Sequence, residues 1–404
     1  MLFRNNKLAP GTSVRVPVQE VLQTVRNAAL DRTPVSGLTH QHYRYPARFS
    51  PRFARAAIEA FSEPDDLVLD PYMGGGTTVL EAITTGRRAV GCDINSLAIF
   101  VAKAKTTKVS VTARQEVEAW VLGALQFGYR DDASDIEAIF CEERTRNLHS
   151  PRSRALKKFI AFALAASDTV GSIEARRMAR CAVLNVSQWA LNGRKRTPTV
   201  EEFRRRLLER TLDILDASGL LFKKVPADLR QIARPVLIHG SAEQIGDFQP
   251  FNLGEKADLV VTSPPYPGIH ILYHRWQVDG RRESPAPYWI ADCLDGQGAS
   301  YYTFGDRQFR DNDTYFEGSL RTLQAIRAVM RDDAMFVQMI AFSDAKKQLP
   351  RYLANMERAG FREMRSGGGH RRIWRSVPPL RNWHADYNGR TSGTREVVLL
   401  HKCA

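Results

Sequence analysis

Two hydrophobic periods alternate along the chain. Short apolar runs bounded by turn formers predict strands at Leu67-Val68-Leu69, Ala89-Val90-Gly91-Cys92, Val236-Leu237-Ile238, Asp258–Val261 and Met335–Ile340. Two last strands are expected near Phe361–Met364 and Glu396–Leu400, flanking a long basic loop. Helical spacing appears in Val18–Leu30 and from about Arg52 to Phe61, where Pro51 suits a first turn. It recurs in Thr77–Thr85, with Val79, Leu80 and Ile83 on one face. A late helix carries Phe316, Leu320, Leu323 and Met330 on one face and leads into Met335–Ile340. Strands alternating with helices, closed by a late strand pair, predict a doubly wound α/β sheet.

One stretch departs from that rhythm. From about Thr106 to Arg234 the pattern is helical throughout, as in Leu156, Phe159, Ile160, Ala163, Leu164 and again in Leu208, Leu212, Leu215. A strand–helix crossover needs nothing this long, so a helical subdomain is expected to be inserted here. The expected division is therefore residues 1–105, a helical insertion at 106–235, and residues 236–404, with Pro267–Asp313 mostly loop.

Composition excludes several classes. Hydrophobic residues are 43% and charged residues 25% of 404, ordinary for a globular chain. No apolar run approaches the roughly 20 residues of a membrane helix, and Met1–Pro10 lacks a signal-peptide core, so a cytoplasmic protein is expected. Five scattered cysteines form no CxxC pair, which leaves no disulfide framework and no cysteine zinc site. His270 and His274 stand four apart, but no Glu follows His270 and no third ligand has clear spacing, so no metal is expected.

Charge adds a partner. The net charge is +14, and the excess is clustered: about twenty bases against ten acids in Cys141–Pro235, and seven against one in Arg365–Arg395. Clustered excess is the footprint of polyanion binding, with solvated helix faces as the plainer alternative. Arg194-Lys195-Arg196 suits a phosphate contact or an ordinary solvated turn. Arg371 and Arg372, in a stretch that mixes bases with Trp374 and Trp383, suit backbone neutralisation or a basic surface loop.

Two constellations carry chemistry. In Asp70-Pro71-Tyr72-Met73-Gly74-Gly75-Gly76-Thr77-Thr78, a strand, a glycine turn and a helix start place backbone N–H groups where a ligand can approach. Asp93, nineteen residues after Gly74, ends the second strand, where an acid accepts hydrogen bonds from ribose hydroxyls. An acid at Asp70 would repel a pyrophosphate but hold an ammonium, which favours a nucleoside bearing an amino acid, such as S-adenosylmethionine. A turn that serves packing alone is the rival reading. The second constellation, Thr262-Ser263-Pro264-Pro265-Tyr266, follows a strand directly. The prolines fix φ and remove donors, Ser263 Oγ and a backbone carbonyl can accept from an exocyclic amine, and Tyr266 offers a stacking face. A strand-ending turn would have similar composition.

Together these residues resemble the amino-group DNA methyltransferases, which modify cytosine N4 or adenine N6. Asp70–Thr78 is similar to their cofactor motif, with Gly75 where serine is typical, and Ser263–Tyr266 to their catalytic motif. Tyr45, Pro46, Ala47, Arg48 and Phe49 resemble the segment that closes over the methionine end of the cofactor. The likeness covers 40–100 and 236–345 and hardly touches the insert. It implies a Rossmann-like class I methyltransferase sheet, mostly parallel with one late antiparallel strand.

It also implies S-adenosylmethionine as methyl donor. Tyr45, Pro46, Ala47, Phe49, Asp70, Pro71, Gly74, Gly76, Thr77, Thr78, Asp93, Ile94 and Ser241 would hold the cofactor. Ser263, Pro264, Pro265 and Tyr266 would act on the target. Arg194, Lys195, Arg196, His270, His274, Arg371 and Arg372 would meet double-stranded DNA. Serine at the first catalytic position goes more often with cytosine N4, aspartate or asparagine with adenine N6. A ring-carbon methyltransferase would need Pro-Cys, which none of the five cysteines supplies. The implied protein is a site-specific enzyme of a prokaryotic restriction-modification or related system, with a cognate endonuclease as a partner. Adenine N6 transfer, RNA base methylation and a catalytically silent DNA-binding cofactor sensor are the alternatives. Two departures stand out: the cofactor half precedes the catalytic half, and the insert follows the second strand.

Overall fold

A computed structural model describes residues 18–404 except 32, 46–49, 127–142, 195, 227–233, 268–274, 280–281, 296–312, 365–371 and 377–394. Its elements run α1 (Val18–Leu30), α2 (Pro51–Phe61), β1 (Leu67–Asp70), α3 (Thr77–Thr84), β2 (Arg88–Asp93) and α4 (Ser96–Thr106). Four long helices follow: α5 (Val111–Leu125), α6 (Pro151–Asp168), α7 (Ile173–Leu191) and α8 (Val200–Lys224). The chain then forms β3 (Val236–His239), β4 (Ala257–Thr262), a hairpin of β5 (Trp276–Val278) and β6 (Arg282–Ser284), and α9 (Ala286–Ala291). It closes with α10 (Asp313–Ala328), β7 (Met330–Ala341), α11 (Ala345–Arg358), β8 (Phe361–Glu363), β9 (Ile373–Ser376) and β10 (Arg395–Cys403).

The main sheet has the order β3-β2-β1-β4-β7-β10-β8, with β9 also paired to β10. β3, β2, β1, β4 and β7 are mutually parallel. β10 is antiparallel to β7, β8 and β9, so among the described strands it is the one reversed strand of a Rossmann-like sheet. Both faces are covered, which is why the parallel strands read as continuous apolar runs. Period-two alternation sorts β7 between two cores: Met335, Val337 and Met339 pack with α1, α2 and α3, while Phe336 and Ile340 pack with α10 and α11. Val398 and Leu400 of β10 follow the first group, Val397 and Leu399 the second.

Local chemistry sets the helix starts. Ser50 accepts from the Arg52 amide with Pro51 in the first turn of α2. Thr199 and Glu202 form a reciprocal capping box at α8, and Asn95 caps α4. A third core gathers α4 to α8 with the β5–β6 hairpin and α9. Leu156, Phe159, Ile160, Ala163 and Leu164 lie buried in it, as their spacing requires.

Two expectations are extended and two corrected. Met330 is the first residue of β7, not the last of the helical stripe: the helix ends at Ala328, and Met330 pairs with Ala257 across β4. The buried seam of α8 is Phe203, Leu207, Thr211, Ile214, Leu215, Ser218 and Leu221, while Leu212 faces solvent, because α8 is amphipathic about the neighbouring stripe. Pro267–Asp313 contains β5, β6 and α9, whose apolar side chains are held by the insert helices. The basic stretch between the last two predicted strands contains a further edge strand, β9, recruited by pairing with β10.

Candidate active site

The carboxyl ends of β1 and β4 meet at the point where strand order reverses, the usual ligand position in an open parallel sheet. Val68 pairs with Leu259 and Leu69 with Val260, so the glycine turn after β1 and the Ser-Pro-Pro-Tyr segment after β4 leave the sheet side by side. Side chains lock them together. Thr262 Oγ1 donates to Asp70 Oδ1 at 2.6 Å, and Thr78 Oγ1 donates to the Val261 carbonyl at 3.1 Å.

The turn is built for close approach. Gly74 has φ 47° and Gly76, which precedes α3, has φ 73°, both in the left-handed region. Tyr45 lies against the turn: a Cβ on Gly75 would sit 2.6 Å from the Tyr45 Cβ, and one on Gly74 3.2 Å from its Cε1. The Tyr45 hydroxyl accepts from Asn95 Nδ2 at 3.1 Å. Lys105, fully buried on α4, donates through Nζ to the Gly75 carbonyl at 2.8 Å.

Two acids flank the turn. Asp93 Oδ2 accepts from the Gly74 amide and Oδ1 from the Asn95 amide, both at 2.8 Å. Burial pushes Asp93 up to about 6 against those hydrogen bonds. Asp70 is also pushed up to about 6 by burial, opposed by hydrogen bonds from Thr262 and the Tyr72 amide. Its side chain is buried, and Oδ1 already serves Thr262 and Tyr72. Asp70 and Thr78 therefore frame the turn from within, while Asp93 keeps partial exposure at the β2 tip.

In the second segment, Ser263 Oγ donates to the Met339 carbonyl of β7 at 2.9 Å and lies 3.1 Å from the Tyr266 hydroxyl. The Tyr266 hydroxyl also donates to Glu396 Oε1 on β10 at 3.0 Å. Tyr315 of α10 donates to the Pro265 carbonyl at 2.7 Å, fixing the second proline from above.

A family model described as DNA methylase, of N6/N4 methyltransferases, matches residues 16–104 and so spans the glycine turn, Asp93 and Tyr45. Over that segment the chain is similar to the amino-group DNA methyltransferases. It is 26% identical over 265 residues to the type II methyltransferase M.MvaI of Kocuria varians, covering 58% of this chain and 54% of that protein. It is 35% identical over 74 residues to the DNA adenine methyltransferase YhdJ of Escherichia coli, 18% of this chain and 25% of that protein. The chain thus spans about half the length of the first relative and less of the other. Among solved structures, the rRNA methyltransferase aviRa of Streptomyces viridochromogenes is similar at 10% identity and a TM-score of 0.36, over 92% of this chain and 94% of that one.

S-adenosylmethionine is the methyl donor of this family, and the residues present fit it. The glycine turn leaves no room for side chains, the acid at the tip of β2 would accept from ribose hydroxyls, and Tyr45 lies against the turn. Ser241 caps a short 3-10 turn through the Glu243 amide, and the Ile94 carbonyl faces the His239 ring at 3.2 Å, beside Asp93. Pro71 and Thr77 lie in the turn and at the first position of α3. Pro46, Ala47 and Phe49 fall outside the described residues, as do Lys195, His270, His274 and Arg371.

Of the basic candidates that are described, Arg194 is exposed, with its guanidinium 4.3 Å from the Trp189 ring centre. Arg206 of α8 stacks on the same ring at 4.4 Å. Arg196 is exposed nearby. Arg372 is instead gripped by Glu363 in a two-pronged pair at 2.6 and 2.9 Å, which reduces the charge it offers a phosphate. Among the described residues no group of three His, Cys, Asp or Glu could hold a metal ion, and no helix is long and apolar enough to cross a membrane. Sequence reading missed Asn95, Lys105 and Glu396. The cap position of Asn95 before α4 was a usable signal; nothing local marks the other two.

Proposed function

We propose that this chain transfers a methyl group from S-adenosylmethionine to the exocyclic N4 of cytosine at a specific DNA site. The observation that carries the reading is the orientation of Ser263. Its proton goes to the Met339 carbonyl, so Oγ keeps lone pairs free to accept, one residue beyond the Thr262–Asp70 bond that ties it to the glycine turn.

The bound cofactor supplies an electrophilic methyl group on a sulfonium. Everything else falls to the chain. Asp93 accepts from ribose hydroxyls, the glycine turn lets the amino-acid end approach backbone amides, and Tyr45 shields that end. Ser263 Oγ and the Pro264 carbonyl draw the two amine N–H bonds out of the base plane. The nitrogen lone pair would then be free for the methyl group instead of delocalising into the ring. As the N–C bond formed, the S–C bond would break, leaving the donor a neutral thioether, and one amine proton would pass to solvent. The catalytic contribution is orientation and electrostatics. The target amine lies inside duplex DNA, so the base has to leave the stack, and Tyr266 gives it a surface. Arg194, Arg196 and Arg206 supply positive charge for the backbone. The type II names among the relatives support a restriction-modification role with a partner endonuclease. The adenine methyltransferase relative supports N6 transfer as the second reading.

Nucleoside mass spectrometry on DNA from a methylation-free host expressing the chain tests this. N4-methylcytosine is expected, and Ser263→Ala should remove it. N6-methyladenine would move the target to adenine with the same machinery. Neither mark, from folded protein that binds cofactor, would overturn the reading in favour of RNA bases or a silent binder.

A further inference from the structure

A buried chain of polar groups runs from the catalytic segment to the far side of the sheet. The Tyr266 hydroxyl meets Glu396 Oε1 at 3.0 Å, and Arg375 Nε meets Glu396 Oε2 at 2.6 Å. Arg375 also donates to the Ala29 carbonyl at the end of α1 at 3.0 Å. Glu396 is 2% exposed and Arg375 8%. The two sit opposite one another in the β9–β10 register, so strand pairing itself delivers the guanidinium to the carboxylate. An ion pair this deeply buried costs desolvation that Coulomb attraction barely offsets, so its contribution to stability alone is a weak account of it.

We infer that Glu396 is a positioning residue for methyl transfer, acting through Tyr266 to keep Ser263 a hydrogen-bond acceptor. The inference rests on the methyl-transfer reading of Ser263–Tyr266. Counting protons gives the reason. Ser263 and Tyr266 bring two hydroxyl protons to three contacts: Ser263 to Met339, Tyr266 to Glu396, and Ser263 to Tyr266. A carboxylate clamped by a guanidinium only accepts, so it captures the tyrosine proton. The serine proton goes to the Met339 carbonyl. The 3.1 Å gap between the two hydroxyls is then left without a proton, and both oxygens face it with lone pairs. Ser263 Oγ then keeps a lone pair for one of the two amine N–H bonds, the other going to the Pro264 carbonyl. Without Glu396 the tyrosine proton would turn to Ser263 Oγ and occupy the acceptor the amine needs. The same bond fixes where the hydroxyl end of the Tyr266 ring lies.

The test is a double-mutant cycle on the full chain, with DNA methyl transfer as readout. Glu396→Gln keeps the shape but offers Tyr266 an amide that can donate. It should lower kcat about 10- to 100-fold with KM for DNA and cofactor affinity within about twofold. In a Tyr266→Phe background the same change should cost less than about twofold, because the proton it controls is gone. An equal loss in both backgrounds, or no loss in the first, would overturn the proposal. Glu396→Gln with Arg375→Leu leaves no stranded charge; it should fold and show the same loss, and restored turnover would also overturn it.

A second readout does not depend on turnover. The 13Cζ resonance of Tyr266, assigned by its absence in Tyr266→Phe, reports phenol titration. A phenol that donates to a carboxylate is held neutral, so its midpoint should fall in Glu396→Gln. An unmoved midpoint would remove the tether even if the wild-type chain proved inactive on DNA. Inactivity with a moved midpoint would leave the tether standing and overturn the methyl-transfer reading.

Discussion

Adding a single methyl group at Gly75 probes the cofactor turn most directly. A Cβ there would lie 2.6 Å from the Tyr45 Cβ, 3.2 Å from Lys105 Nζ and 3.3 Å from the Tyr45 Cγ. Carbon atoms pack at about 3.5–4.0 Å, so Tyr45 must retreat by about 1 Å. The nearest clashing atom is the first of its side chain, so a rotamer change gives no relief and the backbone has to move. Overpacking of this kind costs about 1–3 kcal/mol. At about 2.1 cal/mol/K per residue, 404 residues unfold with an entropy near 0.85 kcal/mol/K, so Gly75→Ala should lower Tm by about 1–4 °C if the chain melts as one unit. Displacing Tyr45 should also weaken S-adenosylmethionine binding about tenfold, or roughly 1.4 kcal/mol. Differential scanning calorimetry and titration calorimetry read the two quantities. Tyr45→Gly deletes the clashing atom, so in that background Gly75→Ala should cost almost nothing. A Gly75→Ala protein with unchanged Tm and unchanged affinity would refute the packing of Tyr45 on the turn.

Other outcomes follow from the same geometry. Ser263→Ala should cut methyl transfer about 100- to 1,000-fold with cofactor affinity nearly intact, as single-turnover assays and titration calorimetry would show. Asp70 and Asp93 are pushed up to about 6 from 3.8, so the folded protein without cofactor holds protons that the unfolded chain has released. Its stability should therefore rise as pH falls through about 6 and level off below about 4, an effect that urea unfolding at several pH values would measure. Cofactor binding that draws on ionised Asp93 should run the other way, weakening up to about tenfold per pH unit below 6, with proton release in calorimetry. Arg194→Ala and Arg206→Ala should each lower the slope of log affinity for DNA against log salt by about one, without changing cofactor binding.

Much of the architecture is legible in the chain because its causes are local. Apolar runs such as Leu67–Leu69 and Asp258–Val261 have few alternatives to a buried parallel strand, and the glycines at 74 and 76 are needed wherever φ is positive. The Ser50–Pro51 cap and the Leu156–Leu164 stripe likewise declare themselves within one or two helical turns. What the sequence could not decide is anything settled by partners far along the chain. Met330 belongs to a strand because Ala257 lies opposite it, and β9 forms because β10 presents an open edge. Asp70 stands out as the acid that ends β1, but that Thr262, 192 residues away, donates to its Oδ1 is set by the fold alone. Glu396 lies 130 residues from Tyr266 and carries no motif; only the folding of β10 beside β7 brings its carboxylate to that hydroxyl. Local sterics and hydrophobic period determine which segments become strands and helices. Long-range pairing alone determines which buried charges meet, because their cost is bearable only where the tertiary structure supplies the counter-charge.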